Sequence, residues 1–510
     1  MLAKINSFAL TGLDGYKVDI EIDINAGLPK VEIIGLPDAA IKESAERVTS
    51  AVKNSGYHFP IKRVIVNLAP ADTKKEGSLF DLPISIGVLI ASEQLFTKCY
   101  KDYVILGELS LDGKLRPING LIAILISGMQ QGYKKFIIPA ENAAEASFVK
   151  GIECYCVRTL KEACELLEGE SEIVPVPYNE FKSDDAEDLF DVDFSEVKGQ
   201  VAAKRALEVA VAGGHNILMI GPPGAGKSMV AKCVVSIMPD LTFEEAIEVT
   251  KVHSIAGILD EKKGIVTRRP FRTPHHTTTV PALIGGGHKA KPGEVSLANH
   301  GVLFLDEVPE YTRHALETLR QPLEDGFVTV SRVQQTVRYP ANFMLIGSMN
   351  PCPCGNYGSK KHVCTCTPQA IRKYINKLSG PLLDRIDIQI EMDAVEFGEI
   401  RSDREEEKSA VVKERVMKAR EIQSKRFESL PIYSNSDMNN RLIREYCKIP
   451  AEAEQLMENA FKKLSLSARA SFRILRVART IADLEGKEKI ETAHVAEAIQ
   501  YRSLDRKYWN

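Results

Sequence analysis

A short apolar run, Asn216-Ile-Leu-Met-Ile220, breaks at Gly221 into Gly-Pro-Pro-Gly-Ala-Gly-Lys-Ser, which ends at Ser228. That order allows little but a buried strand, a tight loop and a helix. Glycines are needed where backbone N–H groups turn inward around an anion, and the following helix adds donors from its own N-terminus. Gly221, Pro222, Pro223, Gly224, Ala225 and Gly226 would cradle the phosphates of ATP, Lys227 would reach the β- and γ-phosphates, and the Ser228 hydroxyl would ligate Mg²⁺. A second apolar run, Val302-Leu-Phe-Leu305, ends in Asp306-Glu307. Such a strand carries Asp306 to the magnesium ion and Glu307 to a water aimed at the γ-phosphate. A glycine-rich surface turn would require neither strand.

With 510 residues and 44% hydrophobic content, the chain has material for about three ordinary domains. A net charge of −3 excludes a globally basic nucleic-acid binder, so any such contact must come from local patches. Residues 1–7 lack the basic segment and apolar core of an export signal. The longest apolar stretch, near residues 121–126, is far short of the roughly 20 residues that span a bilayer. A cytoplasmic protein without membrane contact is expected, and ten cysteines there do not imply disulfides.

Residues 1–168 alternate β-rich runs (18–24, 63–68, 135–138) with a helical pattern at 39–55, which predicts an α/β domain. Residues 169–193 contain Pro175, Pro177 and a run of acids, a composition that reads as a linker. Residues 194–392 hold the nucleotide motifs of an α/β core, and 393–510 read as helices forming a lid.

The order of motifs is informative over nearly the whole chain. Phe194-Ser-Glu-Val-Lys-Gly-Gln200 precedes the phosphate loop; Ser348-Met-Asn350-Pro-Cys-Pro-Cys-Gly355, Gly380-Pro-Leu-Leu-Asp-Arg385-Ile-Asp387 and Ser467-Ala-Arg469 follow it. In this the chain resembles the magnesium-chelatase-like AAA+ ATPases of the bacterial YifB/ComM type. The resemblance implies a ring, expected to be a hexamer. For the ComM-type members it implies a helicase motor that promotes branch migration of single-stranded or branched DNA in natural transformation. A chelatase-type protein remodeller is the alternative. By the same resemblance Asn350 is the sensor at the tip of the strand at 343–349, Arg385 the arginine finger given to a neighbour's nucleotide, and Arg469 the sensor at the start of a lid helix. Taken singly, Arg385 between Asp384 and Asp387 would read as a surface ion pair; motif order favours the finger.

Cys352-Pro-Cys354 and Cys364-Thr-Cys366 form two close pairs. Four thiolates can surround one structural Zn²⁺ tetrahedrally, although the spacing is tighter than usual; free surface thiols and a redox role are the competing readings. Cys154-Tyr-Cys156 has no partner pair and reads as strand packing. Basic residues cluster in an insertion at 253–291 (Arg268, Arg269, Arg272, Lys289, Lys291) and in a predicted hairpin at 326–338 carrying Arg332 and Arg338. These are candidates for DNA phosphates, against the plainer reading as solvated faces. The segments at 76–84 and 107–120 look like the proteolytic domain of Lon-type peptidases. The positions matching that family's serine and lysine hold Leu79 and Ile122, with Ser78 one place off, so this domain is expected to be non-catalytic.

Overall fold

The computed structural model describes residues 2–183, 193–287, 290–332, 335–358, 362–394, 406–430, 432–464 and 468–509. They divide into two compact units. One comprises Met1–Lys182 with Phe243–Thr267; the other comprises Ser183–Thr242 with Arg268–Asn510. Residues 243–267, which sequence order places inside the nucleotide-binding region, therefore fold with the N-terminal part.

The first unit is built on a seven-stranded sheet ordered Lys30–Ile34, Arg63–Ala69, Asp14–Asn25, Ala3–Thr11, Tyr103–Ile105, Lys135–Pro139 and Glu153–Val157. The strand Asp14–Asn25 lies antiparallel to both neighbours, and the remaining pairs are parallel. Alternation decides which side chains enter the core: Val18, Ile20 and Ile22 are buried, as are Val64, Val66 and Leu68. The apolar stretch at 121–126 lies in the helix Leu121–Gln130. Ile122 is buried in an apolar cluster with Phe8, Leu125 and Phe136, and Leu79 packs against the same cluster, so both positions of a Lon-type dyad serve packing here. Ser78 instead donates to the Glu108 carboxylate. Cys154 is a buried free thiol in the strand Glu153–Val157, and burial pushes its pKa up.

The helix Phe243–Ala256 is joined to this unit by a buried polar network. The Gly120 N–H donates to Ser254 Oγ (2.8 Å), and Ser254 Oγ donates to Glu145 Oε1 (2.6 Å). Glu145 also accepts from the Ile122 N–H (2.9 Å) and Asn142 Nδ2 (3.1 Å). Burial pushes the Glu145 carboxyl above its usual value, while these donors oppose the shift. Gly264 adds a steric condition, because a Cβ there would stand 2.2 Å from the Ala144 carbonyl carbon. Ser254→Ala leaves two buried polar groups one partner short and is expected to destabilise the unit by about 1–3 kcal/mol. Denaturant unfolding of the full chain would read this, and an unchanged midpoint would mean that the network contributes nothing.

The second unit holds a five-stranded parallel sheet ordered Phe271–Arg272, Val302–Leu305, Met344–Met349, Ile217–Ile220 and Ile388–Glu391. Every residue of the three strands Val302–Leu305, Met344–Met349 and Ile217–Ile220 is buried, the pattern of a parallel sheet covered on both faces. The expected lid helices share its core: Val412, Val416, Ile474, Val477 and Ile481 belong to the same apolar cluster as Ile217, Phe304 and Ile346. The charged look of the helix Ser409–Arg426 reflects ion pairs along its flanks, where Arg415 pairs with the buried Glu208 and with Glu407, and Lys413 with Asp240.

In the expected linker, residues 169–182 lie along the first unit, with the Val176 N–H on Cys154 O and the Asn179 N–H on Ser147 O (both 2.9 Å). Most of its acidic run, at 184–192, lies outside the described residues. Among the described residues, no helix is long and apolar enough to cross a membrane.

Candidate active site

Three adjacent parallel strands deliver the site. The strand Met344–Met349 is flanked by Val302–Leu305 and Ile217–Ile220, with Leu305 opposite Gly347 and Met349 opposite Ile220. Their C-terminal ends, where ligands of open α/β sheets bind, therefore present Asp306, Asn350 and the phosphate loop side by side. Gly224 and Gly226 take left-handed φ values of 79° and 82° with open space around them, so these glycines answer a conformational demand. At Gly221 the demand is steric, since a Cβ would stand 2.6 Å from the Met392 carbonyl oxygen.

The helix Lys227–Ile237 starts on this loop. Lys227 Nζ donates to the Gly221 and Pro222 carbonyls (2.7 and 3.0 Å) and to Asn350 Oδ1 (3.1 Å). Burial lowers its pKa, while Asp306 and Glu307 counteract the shift. Ser228 Oγ donates to Asp306 Oδ2 at 2.8 Å, so the two expected magnesium ligands already touch. Glu307 is exposed and adopts φ 51°, a left-handed value uncommon for a residue with a Cβ, and conformations of this kind cluster at functional sites. A cavity of about 380 Å³ is lined by Pro223, Gly224, Lys227, Ser228, Asp306, Glu307 and Asn350, among others.

Sequence reasoning missed three residues here. Ser348 is fully buried and donates to Asp306 Oδ1, while its Oγ accepts from the Glu307 N–H (3.3 Å). A hydroxyl in an otherwise apolar strand, two positions before Asn350, was the available signal. Asn216 accepts from the Leu345 N–H (2.8 Å) and donates to the Arg385 carbonyl (2.9 Å), which ties two motifs to the loop strand. Arg473 lies 3.7 Å from Asp384 and 3.5 Å from Asp387. Burial opposes ionisation of Asp387, yet His215, Arg473 and Arg476 hold its carboxyl below the usual range.

Neither Arg385 nor Arg469 lines the cavity. Arg385 pairs with Glu324 and donates to the Pro381 carbonyl (3.2 Å). Arg469 is exposed, 3.6 Å from Asp384.

The four sulfurs of Cys352, Cys354, Cys364 and Cys366 lie within 4.8 Å of one another. Separations of 3.4, 3.7 and 3.6 Å among Cys352, Cys354 and Cys364 are close to the edge of about 3.8 Å that a tetrahedron with Zn–S bonds of about 2.3 Å would have. They are far longer than a disulfide bond.

The basic candidates separate. Arg269 donates to the His300 carbonyl (2.7 Å) and the Asp240 carbonyl (3.2 Å), and Arg272 forms a two-point pair with Glu294 (2.7 and 2.9 Å). Both are committed to internal partners, which corrects the expectation that they are offered to a phosphate. The hairpin forms as predicted, Phe327–Arg332 against Gln335–Pro340, with Arg338 exposed and its guanidinium carbon 3.3 Å from the Phe327 ring centroid. The Arg332 side chain and Lys289 lie outside the described residues.

Comparison with known proteins agrees with this geometry. Residues 193–400 match the family described as magnesium chelatase, subunit ChlI; residues 20–142 match subunit ChlI of Mg-chelatase, and residues 406–502 the ChlI C-terminal family. The chain is 41% identical to the protein YifB of Escherichia coli over 99% of its own length and 98% of that protein's. It is 41% identical, with the same coverage, to the competence protein ComM of Haemophilus influenzae. The magnesium-chelatase 38 kDa subunit of Rhodobacter capsulatus is 26% identical over 31% of this chain. A full-length match of this kind, joined to a glycine-rich loop, an acidic strand end and Asn350 around one cavity, places the chain in the YifB/ComM-type family of magnesium-chelatase-like AAA+ ATPases.

Proposed function

We propose that this protein is an ATP-hydrolysing motor acting on single-stranded or branched DNA in the cytoplasm. It would work as a homo-oligomeric ring, expected to be hexameric, that drives branch migration in natural transformation. The observation that carries the ATPase reading is the convergence of Lys227, Ser228, Asp306, Glu307 and Asn350 on one cavity at three neighbouring strand ends. Ser228 and Asp306 would hold Mg²⁺, which when bound neutralises charge on the phosphates. The carbonyl bonds of Lys227 are the ones a phosphate would replace. Glu307 projects from a turn fixed by Asp306 and Ser348, where it can orient a water and accept its proton. Asn350 would align that water from the neighbouring strand end. Arg385 and Arg469, which sit outside the cavity, would serve a neighbouring subunit's nucleotide. The four cysteines would hold a structural Zn²⁺.

The DNA reading has two supports: full-length likeness to a protein named for competence, and the exposed Arg338 on a hairpin of the ATPase unit. A guanidinium braced on an aromatic face suits a phosphate or a stacked base. The test is ATP turnover with and without single-stranded and forked DNA, where stimulation is expected. Arg338→Ala should reduce that stimulation and lower the salt slope of DNA binding by about one. The likeness to magnesium-chelatase subunits favours a second reading, a protein remodeller, and a rate indifferent to every DNA would select it.

A further inference from the structure

The cysteine cluster touches the nucleotide site by two routes. The first is covalent. Cys352 stands two residues after Asn350, whose Oδ1 accepts from Lys227 Nζ at 3.1 Å. The second is by packing. Gly355, between the two cysteine pairs, approaches the phosphate loop so closely that a Cβ there would lie 2.5 Å from Pro223 Cδ. Gly355 also has φ 79°, and its N–H donates to the Cys352 carbonyl (2.9 Å). The Tyr357 N–H then donates to Cys352 Sγ (3.3 Å), and the Tyr357 ring meets Tyr508 edge-on, with centroids 6.5 Å apart. Tyr508 in turn donates to Glu391 Oε1 (3.1 Å), at the end of the strand beside Ile217–Ile220. The described part of the loop is thus wedged between the phosphate loop and the sheet edge, and its turn is built around its own sulfurs.

From this we infer that metal at the four cysteines is an allosteric support for nucleotide binding: a thiophilic divalent cation, zinc by its ligand set, holds Gly355 against Pro223 and Asn350 against Lys227. The inference rests on the zinc reading above. Without the ion, only weak sulfur–sulfur contacts of 3.4–3.7 Å join the two cysteine pairs, so the turn is free to open and the phosphate loop loses the surface behind it. With the ion, one tetrahedral centre fixes both cysteine pairs. Linkage makes the coupling reciprocal: if metal tightens nucleotide binding, nucleotide tightens metal binding by the same factor.

The experiment uses the full chain purified under reducing conditions. Zinc per chain is measured by elemental analysis, and affinity for a fluorescent ATP analogue is measured in Mg²⁺ before and after a chelator that takes zinc and leaves magnesium. About one zinc per chain is expected, with a loss of nucleotide affinity of about 5- to 150-fold on stripping that is reversed by added zinc. Nucleotide should raise the zinc affinity by the same factor. Absence of zinc from the purified protein defeats the zinc reading and the inference with it. Zinc present, with nucleotide affinity unmoved by its removal, overturns the inference alone. If the stripped protein unfolds, Gly355→Ala decides, because it keeps all four thiols while pushing a methyl group into Pro223. Retained zinc with weakened nucleotide binding supports the strut, and wild-type affinity overturns it.

Discussion

Glu307→Gln is expected to bind ATP nearly as wild type does and to lower turnover by about 10²–10⁴-fold, the usual contribution of a positioned general base. The geometry separates binding from chemistry. Glu307 makes no side-chain bond to the phosphate loop, and its backbone N–H is held by Asp306 Oδ1 (3.1 Å), so an amide in its place disturbs neither the cradle nor the magnesium ligands. Lys227→Ala should behave in the opposite way. Its ammonium bridges Gly221, Pro222 and Asn350, so its loss removes the charge meant for the β- and γ-phosphates and a tie between loop and sensor strand. Titration with a fluorescent ATP analogue beside phosphate-release kinetics reads both quantities. Equal affinity in the two variants would refute the division of roles.

Arg385→Ala should slow hydrolysis by about 10³–10⁵-fold if the guanidinium stabilises the transferring phosphoryl group from a neighbouring subunit. Within one chain Arg385 lies outside the cavity, paired with Glu324, so the subunit's own nucleotide is not its ligand in this arrangement. Mixing Arg385→Ala with Lys227→Ala therefore supplies an intact finger from one subunit and an intact nucleotide site from the other. Recovery of turnover at intermediate mixing ratios is expected. If no ratio recovers activity, the arginine acts within its own subunit, most simply by anchoring Glu324.

Where the chemistry is local, the sequence was legible. The phosphate loop, the acidic strand end, Asn350 and the hairpin each depend on residues within a few positions of one another, and each stands where its motif required. Long-range pairing was not legible. Glu145 and Ser254 are 109 residues apart, and neither composition nor periodicity announces that one is the other's partner. Arg269 and Arg272 look like offered charge in the sequence because their partners, backbone carbonyls and Glu294, form no contiguous pattern. Ser348 was overlooked because a serine inside a buried strand reads as a weak packing choice until Asp306 is placed beside it.

The helix Phe243–Ala256 also bears on how such a chain can be assembled from parts. Because the second unit is interrupted by Phe243–Thr267, the two units are interleaved in the gene, and no single junction separates them. A chimaera joined within the acidic segment would bring a foreign N-terminal half to a helix whose Ile247 and Ser254 fit the Leu121 helix and Glu145 of this one. The halves can therefore be exchanged only as a matched set, and a change in one must be answered by a change in the other.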